Sequence, residues 1–111
     1  MNDLEYEELT DNTLLAVEEA IEQLELDLDY ESNGGLLSIT FPDQSKIIIN
    51  KQPPLQQLWL ATKFNGHHFE WRNQQWIDNR TGSEFWQLLS DAASKQAGSP
   101  VVLTPPQSGT E

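Results

Sequence analysis

Nine carboxylates near the N-terminus are spaced so that they could act together. Glu7 and Asp11, and again Glu18 and Glu22, stand four residues apart, with Glu19 and Glu25 beside them. Asp27, Asp29 and Glu31 follow at intervals of two. Residues four apart share a face of a helix, and residues two apart share a face of a strand. Both spacings set carboxylate oxygens side by side, with no thiolate or imidazole among them. Such donors suit hard cations (Mg²⁺, Ca²⁺, Mn²⁺ or iron) rather than copper or structural zinc. On a convex surface the site is shallow and completed by water, so weak and unselective binding is expected. Residues 1–31 hold twelve acids and no Lys, Arg or His, whereas the whole chain has 18 acids against 6 Lys and Arg. The formal net charge of −12 therefore resides in this one segment.

The elements that position these acids are readable from the same stretch. At about 100° per residue, Tyr6, Leu9, Thr13, Ala16, Val17, Ala20, Ile21 and Leu24 gather on one helical face. Glu7, Asp11, Glu18, Glu22 and Glu25 fall within a stripe roughly 60° wide on the other side. The spacing predicts a helix from Asp3 to Leu24, with Asn2 or Asp3 as its N-cap. Past Leu24 the period changes to two, which predicts a strand over 26–32 with Asp27, Asp29 and Glu31 facing outward. Helix and strand together would form one continuous anionic ridge.

The ridge works against its own helix. Glu5–Glu8, Glu7–Asp11, Glu8–Asp11, Glu18–Glu22, Glu19–Glu22 and Glu22–Glu25 are like-charge neighbours, costing on the order of 1–3 kcal/mol in sum. The plainer reading of a charge run is a solvated face. Against it stand the single sign of the segment and the position of Glu22 and Glu25 at the negative end of the helix dipole. A surface built only for solubility mixes in Lys.

Downstream, Asn33-Gly34-Gly35 reads as a hairpin turn between strands over 26–32 and 36–41. Pro42 to Ser45 is a further turn, and Lys46–Asn50 carries Ile47-Ile48-Ile49, a β-branched run expected to be covered on both faces. Lys51 to Pro54 should interrupt pairing before a strand over 55–62, in which Leu58 and Leu60 face one way and Trp59 the other. Strands over 67–72 and 76–78 follow. Thr81-x-x-Glu84 fits a capping box ahead of a second helix that ends at Gly98 and Pro100. The order predicts an α+β two-layer sandwich, with both helices on one face of an antiparallel sheet of five or six strands. Residues 1–98 form the domain. Residues 99–111 form a tail expected to pack near Val101-Val102-Leu103 and to be flexible after Pro105.

Catalysis is poorly supported. The chain has no cysteine, no G-x-S-x-G, no phosphate-cradling glycine loop and no H-E-x-x-H. His67 and His68 are strand neighbours that point to opposite faces and cannot share one ion. The carboxylates sit on a convex surface, whereas general acid–base work needs a concave, partly dry site. A strongly negative protein is repelled by nucleic acid and anionic membranes. No apolar run approaches the roughly 20 residues of a membrane span, and no signal peptide is visible. A cytoplasmic location is expected. An outward Trp59 among Asn50, Lys51, Gln52, Gln56 and Gln57 has the composition of a protein interface, unless sheet twist or the tail covers it.

The stretches Asn33 to Phe41, Lys46 to Pro53 and Gln57 to Ala61 resemble the frataxin family, and within it the bacterial branch. The acidic first helix and Trp76-Ile77, Thr81-Gly82 and Phe85-Trp86-x-Leu88-Leu89 continue the likeness, which spans roughly residues 1–98. The resemblance implies a role in iron–sulfur cluster assembly. It implies weak surface binding of Fe²⁺ or Fe³⁺ through Glu18, Glu19, Glu22, Glu25, Asp27, Asp29 and Glu31, with other hard cations able to substitute. It also implies docking on the cysteine desulfurase, with effects on the iron–sulfur scaffold protein. A sheet-surface motif maps onto Asn50, Lys51, Gln52, Gln57 and Trp59. Where bacterial relatives often carry His near position 7, this chain has Glu7, an oxygen donor. The expectation is a non-enzymatic regulator, mostly monomeric, able to form metal-driven oligomers. The rivals are an iron-storage or ferroxidase protein and an acidic mimic of nucleic acid.

Overall fold

The structure, a computed structural model, describes residues 1–105. Helix α1 (Asp3–Glu22) leads into strands β1 (Asp29–Asn33), β2 (Leu36–Thr40), β3 (Lys46–Gln52), β4 (Gln57–Ala61), β5 (Gly66–Arg72) and β6 (Gln75–Asp78), and helix α2 (Phe85–Ala97) follows. The six strands form one antiparallel meander in chain order. Both helices pack on one face of it. Leu37, Ile39, Ile47, Ile49, Leu58, Leu60, Phe69 and Trp76 are buried from the strands. Tyr6, Val17 and Ile21 of α1 meet them, as do Phe85, Leu89 and Ala93 of α2. The opposite face of the sheet is open.

Local chemistry explains each boundary. The N-cap of α1 is Asn2, in a full capping box. Asn2 Oδ1 accepts from the Glu5 N–H at 2.8 Å, and Glu5 Oε1 accepts from the Asn2 N–H at 3.0 Å. The helix stops at Glu22, two residues before the predicted end, with no basic residue in its last turn to offset the dipole. Strand β1 starts at Asp29 rather than 26. Its pairing with β2 ends at Asp29↔Thr40, because Phe41 N–H turns to the Ser45 carbonyl. Gly34 and Gly35, at φ +57° and +89°, make the predicted tight turn.

Three expectations are corrected. Lys51 and Gln52 continue β3, paired with Leu58 and Gln57; the interruption begins at Pro53, and residues 53–55 form a short 3₁₀ turn. Ile48 is only half-buried, since it points to the open sheet face while Ile47 and Ile49 are core. Thr81 does not cap α2. Glu84 does, its carboxylate accepting from Trp86 and Gln87 N–H at 3.0 and 3.1 Å. Glu84 is held extended by a bridge to Ile77, so the helix cannot begin earlier.

The buried face of α1 is Tyr6, Thr10, Leu14, Val17, Ala20 and Ile21. It is rotated from the predicted face toward the acidic stripe. Thr10 tolerates burial because its hydroxyl donates to the Tyr6 carbonyl at 2.8 Å. This rotation leaves Glu7 and Glu18 half-buried and brings the N-terminal flank of the stripe over β3.

Candidate functional site: an acidic band beside an open sheet face

The acids divide into two groups that the sequence pattern treats alike. At the N-terminal end, Lys51 Nζ lies 2.7 Å from Glu7 Oε1 and also donates to Asp11 Oδ1. Burial works against this ammonium, yet the hydrogen bonds and charges of Asp11 and Glu7 outweigh it and raise its pKa above the ordinary lysine value. Toward the C-terminal end, Glu18, Glu19, Glu22, Glu25, Asp27, Asp29 and Glu31 pair with no Lys or Arg among the described residues.

That second group bends around the sheet edge. Tyr30 points to the helix side and its hydroxyl donates to Glu22 Oε2. The hydrogen bond to Glu22 is the main reason the Tyr30 phenol is pushed up to about 12, with partial burial and the charges of Glu22 and Glu18 adding to it. Glu22, Glu25, Asp27 and Tyr30 line one shallow depression between α1 and β1. Asp29 and Glu31 pair with Thr40 and Ser38, which alternate with core Ile39 and Leu37, so both point to the open sheet face. The acids therefore form a band that turns a corner at β1, where one continuous ridge is expected from the sequence.

What this band can do follows from its donors. They are carboxylate oxygens with one phenol, all at the surface. Among the described residues no three His, Asp or Glu side chains converge to hold a metal ion. The donor chemistry fits iron or another hard cation held loosely in its hydration shell, and it does not fit a preformed cage.

On the open face, Asn50, Gln52, Gln57 and Trp59 come together, since Asn50 pairs with Trp59 and Gln52 with Gln57. Lys51 stands apart from them. It shares the parity of Ile47 and Ile49, and its side chain is 13% exposed on the helix side. Trp59 is half-buried and held from two directions. Its ring stacks on His68 at 4.1 Å between centroids and 11° between planes. Its indole N–H donates to Gln57 Oε1 at 2.7 Å, and Gln57 Nε2 donates to Glu70 Oε2 at 3.2 Å. Glu70 in turn accepts from Arg72 at 2.6 Å and Asn79 at 3.3 Å, and these contacts lower its pKa, Arg72 first.

Sequence reasoning missed Lys51 as a member of the band, Tyr30 as its phenol and His68 as the partner of Trp59. Strand parity and hairpin register were the signals for all three. His67 and His68 do face opposite ways. His67 Nδ1 meets the buried Asp78 Oδ2 at 3.0 Å, on the core side. Among the described residues no helix is long and apolar enough to cross a membrane.

The model of the frataxin-like domain matches residues 1–99. The iron–sulfur cluster assembly protein CyaY of Pseudoalteromonas atlantica is 57% identical over 106 residues, which cover 96% of this chain and 98% of that protein. The same-named protein of Colwellia psychrerythraea is 55% identical, over 94% of this chain and 98% of its own. Among solved structures, frataxin from Psychromonas ingrahamii superposes with a TM-score of 0.87 at 47% identity, covering 94% of this chain and 99% of that one. Trimeric yeast frataxin, complexed with ferrous iron, superposes with a TM-score of 0.67 at 26% identity, covering 89% and 88%. With helix, six-strand meander and helix in the same order, and with likeness over nearly its full length, the chain belongs to the frataxin-like family, in its CyaY branch.

Proposed function

We propose that this chain is a non-catalytic, cytoplasmic regulator that binds iron weakly on its acidic band and docks on the cysteine desulfurase. Its place is in iron–sulfur cluster assembly, the role stated in the names of its relatives. The observation that carries the finer reading is the run of seven acids from Glu18 to Glu31 without a basic partner among the described residues. Oxygen donors at a convex surface hold Fe²⁺ or Fe³⁺ loosely, and Mg²⁺, Ca²⁺ or Mn²⁺ compete for them. The same charges steer the domain toward a basic patch on the desulfurase. The pre-ordered Trp59, with Asn50, Gln52 and Gln57, supplies a second contact surface for the same partner. Nucleic acid and anionic membranes are repelled by the same field.

The test is an NMR titration of the labelled protein with Fe²⁺ under anaerobic conditions and, separately, with purified desulfurase. Shifts should coincide over Glu18, Glu19 and Glu22 in both, and changing these three to Lys should abolish both while the fold persists. Iron shifts confined to other parts of the molecule would overturn the reading. A storage or ferroxidase role is the second reading, favoured by the ferrous complex of the trimeric yeast relative. Metal-driven oligomers that oxidise Fe²⁺ faster than buffer alone would replace the regulator with it.

A further inference from the structure

The N-terminal half of the acidic band already contains a cation of its own. Lys51 rises from β3 on the helix side, with its backbone N–H donating to the Gly35 carbonyl at 3.0 Å. Its stem lies over Gly35, where a Cβ would sit 3.3 Å from Lys51 Cδ. The ammonium is held between Glu7 and Asp11, whose side chains remain 47% and 65% exposed, while that of Lys51 is 13% exposed. Glu7 and Asp11 have the same four-residue spacing on α1 as Glu18 and Glu22. The two carboxylate pairs share donor chemistry and differ in whether a basic side chain reaches them.

We infer that Lys51 is a built-in competitor that occupies the Glu7–Asp11 pair and confines external hard cations to the Glu18–Glu31 half of the band. A tethered ammonium acts at a high effective concentration, because its stem is packed in place and pays little to bind. A hydrated cation entering at Glu7 and Asp11 must displace it and leave a largely buried charge without a partner, which is costly. At Glu18 and Glu22 the entering ion displaces only water. Lys51 is thus a specificity-determining residue that acts by exclusion. The inference rests on the iron-binding reading above.

The experiment compares wild type, Lys51→Met and Lys51→Arg by NMR, each titrated with Fe²⁺ alone under anaerobic conditions. Met keeps an unbranched stem over Gly35 without the charge, and Lys51→Gln serves in its place if that variant misfolds. Arg keeps the cation. The expected result is perturbation of amides over 18–31 but not 7–11 in wild type and Lys51→Arg. In Lys51→Met the perturbation should extend to Glu7 and Asp11. A response over 18–31 that never spreads to Glu7 and Asp11 in the uncharged variant overturns the inference and leaves the iron-binding reading standing. A wild-type response already present at Glu7 and Asp11 overturns it too. Absence of any response over the band, in wild type and variants alike, removes the iron-binding reading and the inference with it.

Discussion

Asp78 shows how one residue carries more than its own bond. Its side chain is fully buried, and three donors converge on it: Thr81 Oγ1 at 2.8 Å, His67 Nδ1 at 3.0 Å and the Arg80 N–H at 3.2 Å. Burial pushes this carboxyl up, but the bonds from Thr81, His67 and Arg80 together bring it below the usual aspartate range. Its folded pKa is therefore lower than its unfolded one. The stabilisation is complete above the unfolded value, near pH 4, and is lost as pH falls through the folded value. Asparagine would turn an amide NH₂ toward groups that are themselves donors. Asp78→Asn should cost about 1–3 kcal/mol at pH 7, read by urea unfolding, and its gap to wild type should narrow below pH 4. A gap that stays constant to pH 3 would show that the carboxylate charge plays no part.

At the scale of elements, α1 suffers less self-repulsion than its sequence suggests. Lys51 offsets Glu7–Asp11, and Glu25 lies beyond the helix end, so two of the six like-charge pairs drop out. Of the four that remain, Glu18–Glu22 and Glu19–Glu22 share one residue, Glu22. Glu22→Gln keeps an oxygen for the Tyr30 hydroxyl and should raise stability by about 0.4–1 kcal/mol. It should also return the Tyr30 phenol toward its ordinary pKa, seen by ultraviolet titration. Helix α2 relies on the chain that follows it. Val101 and Leu103 are buried, and Ser94 and Ser90 each exchange two hydrogen bonds with their backbones. Ending the chain at Pro100 should cost about 3–5 kcal/mol from lost apolar burial, measured by thermal or urea unfolding. The hairpin at Gly34-Gly35, the outward Trp59 and the two-helix, six-strand order were legible, because glycine placement and period-two alternation encode them locally. The true start of α2 and the rotation of α1 were not. Both depend on contacts between distant residues, namely the Ile77–Glu84 bridge and the packing of Thr10 and Leu14. The expected flexibility after Pro105 falls outside the described residues. Lys51 was misassigned to the sheet surface because its neighbours in sequence face outward, although its parity with Ile47 and Ile49 places it inward.

Charge is unevenly spread over the whole molecule: residues 1–31 carry all of its net charge of −12, and the open sheet face beyond β2 holds Trp59 among amide side chains. A partner that uses both must wrap the β1 edge, where the acids turn from the helix layer onto the sheet. Two kinds of force then act over different ranges. The charges act over about 10 Å at 0.1 M salt and about 3 Å at 1 M, so in the proposed docking they would govern encounter. In the proposed docking on the desulfurase the Trp59 platform, which acts only at contact, would govern residence. Raising salt from 0.05 to 0.5 M should slow association with the desulfurase about tenfold or more while changing dissociation much less. Trp59→Ala should do the reverse, speeding dissociation and leaving association nearly intact. Stopped-flow or surface-binding kinetics separate the two. If association survives 0.5 M salt undiminished, the band does not steer; if Trp59→Ala leaves dissociation unchanged, the sheet face is outside the interface.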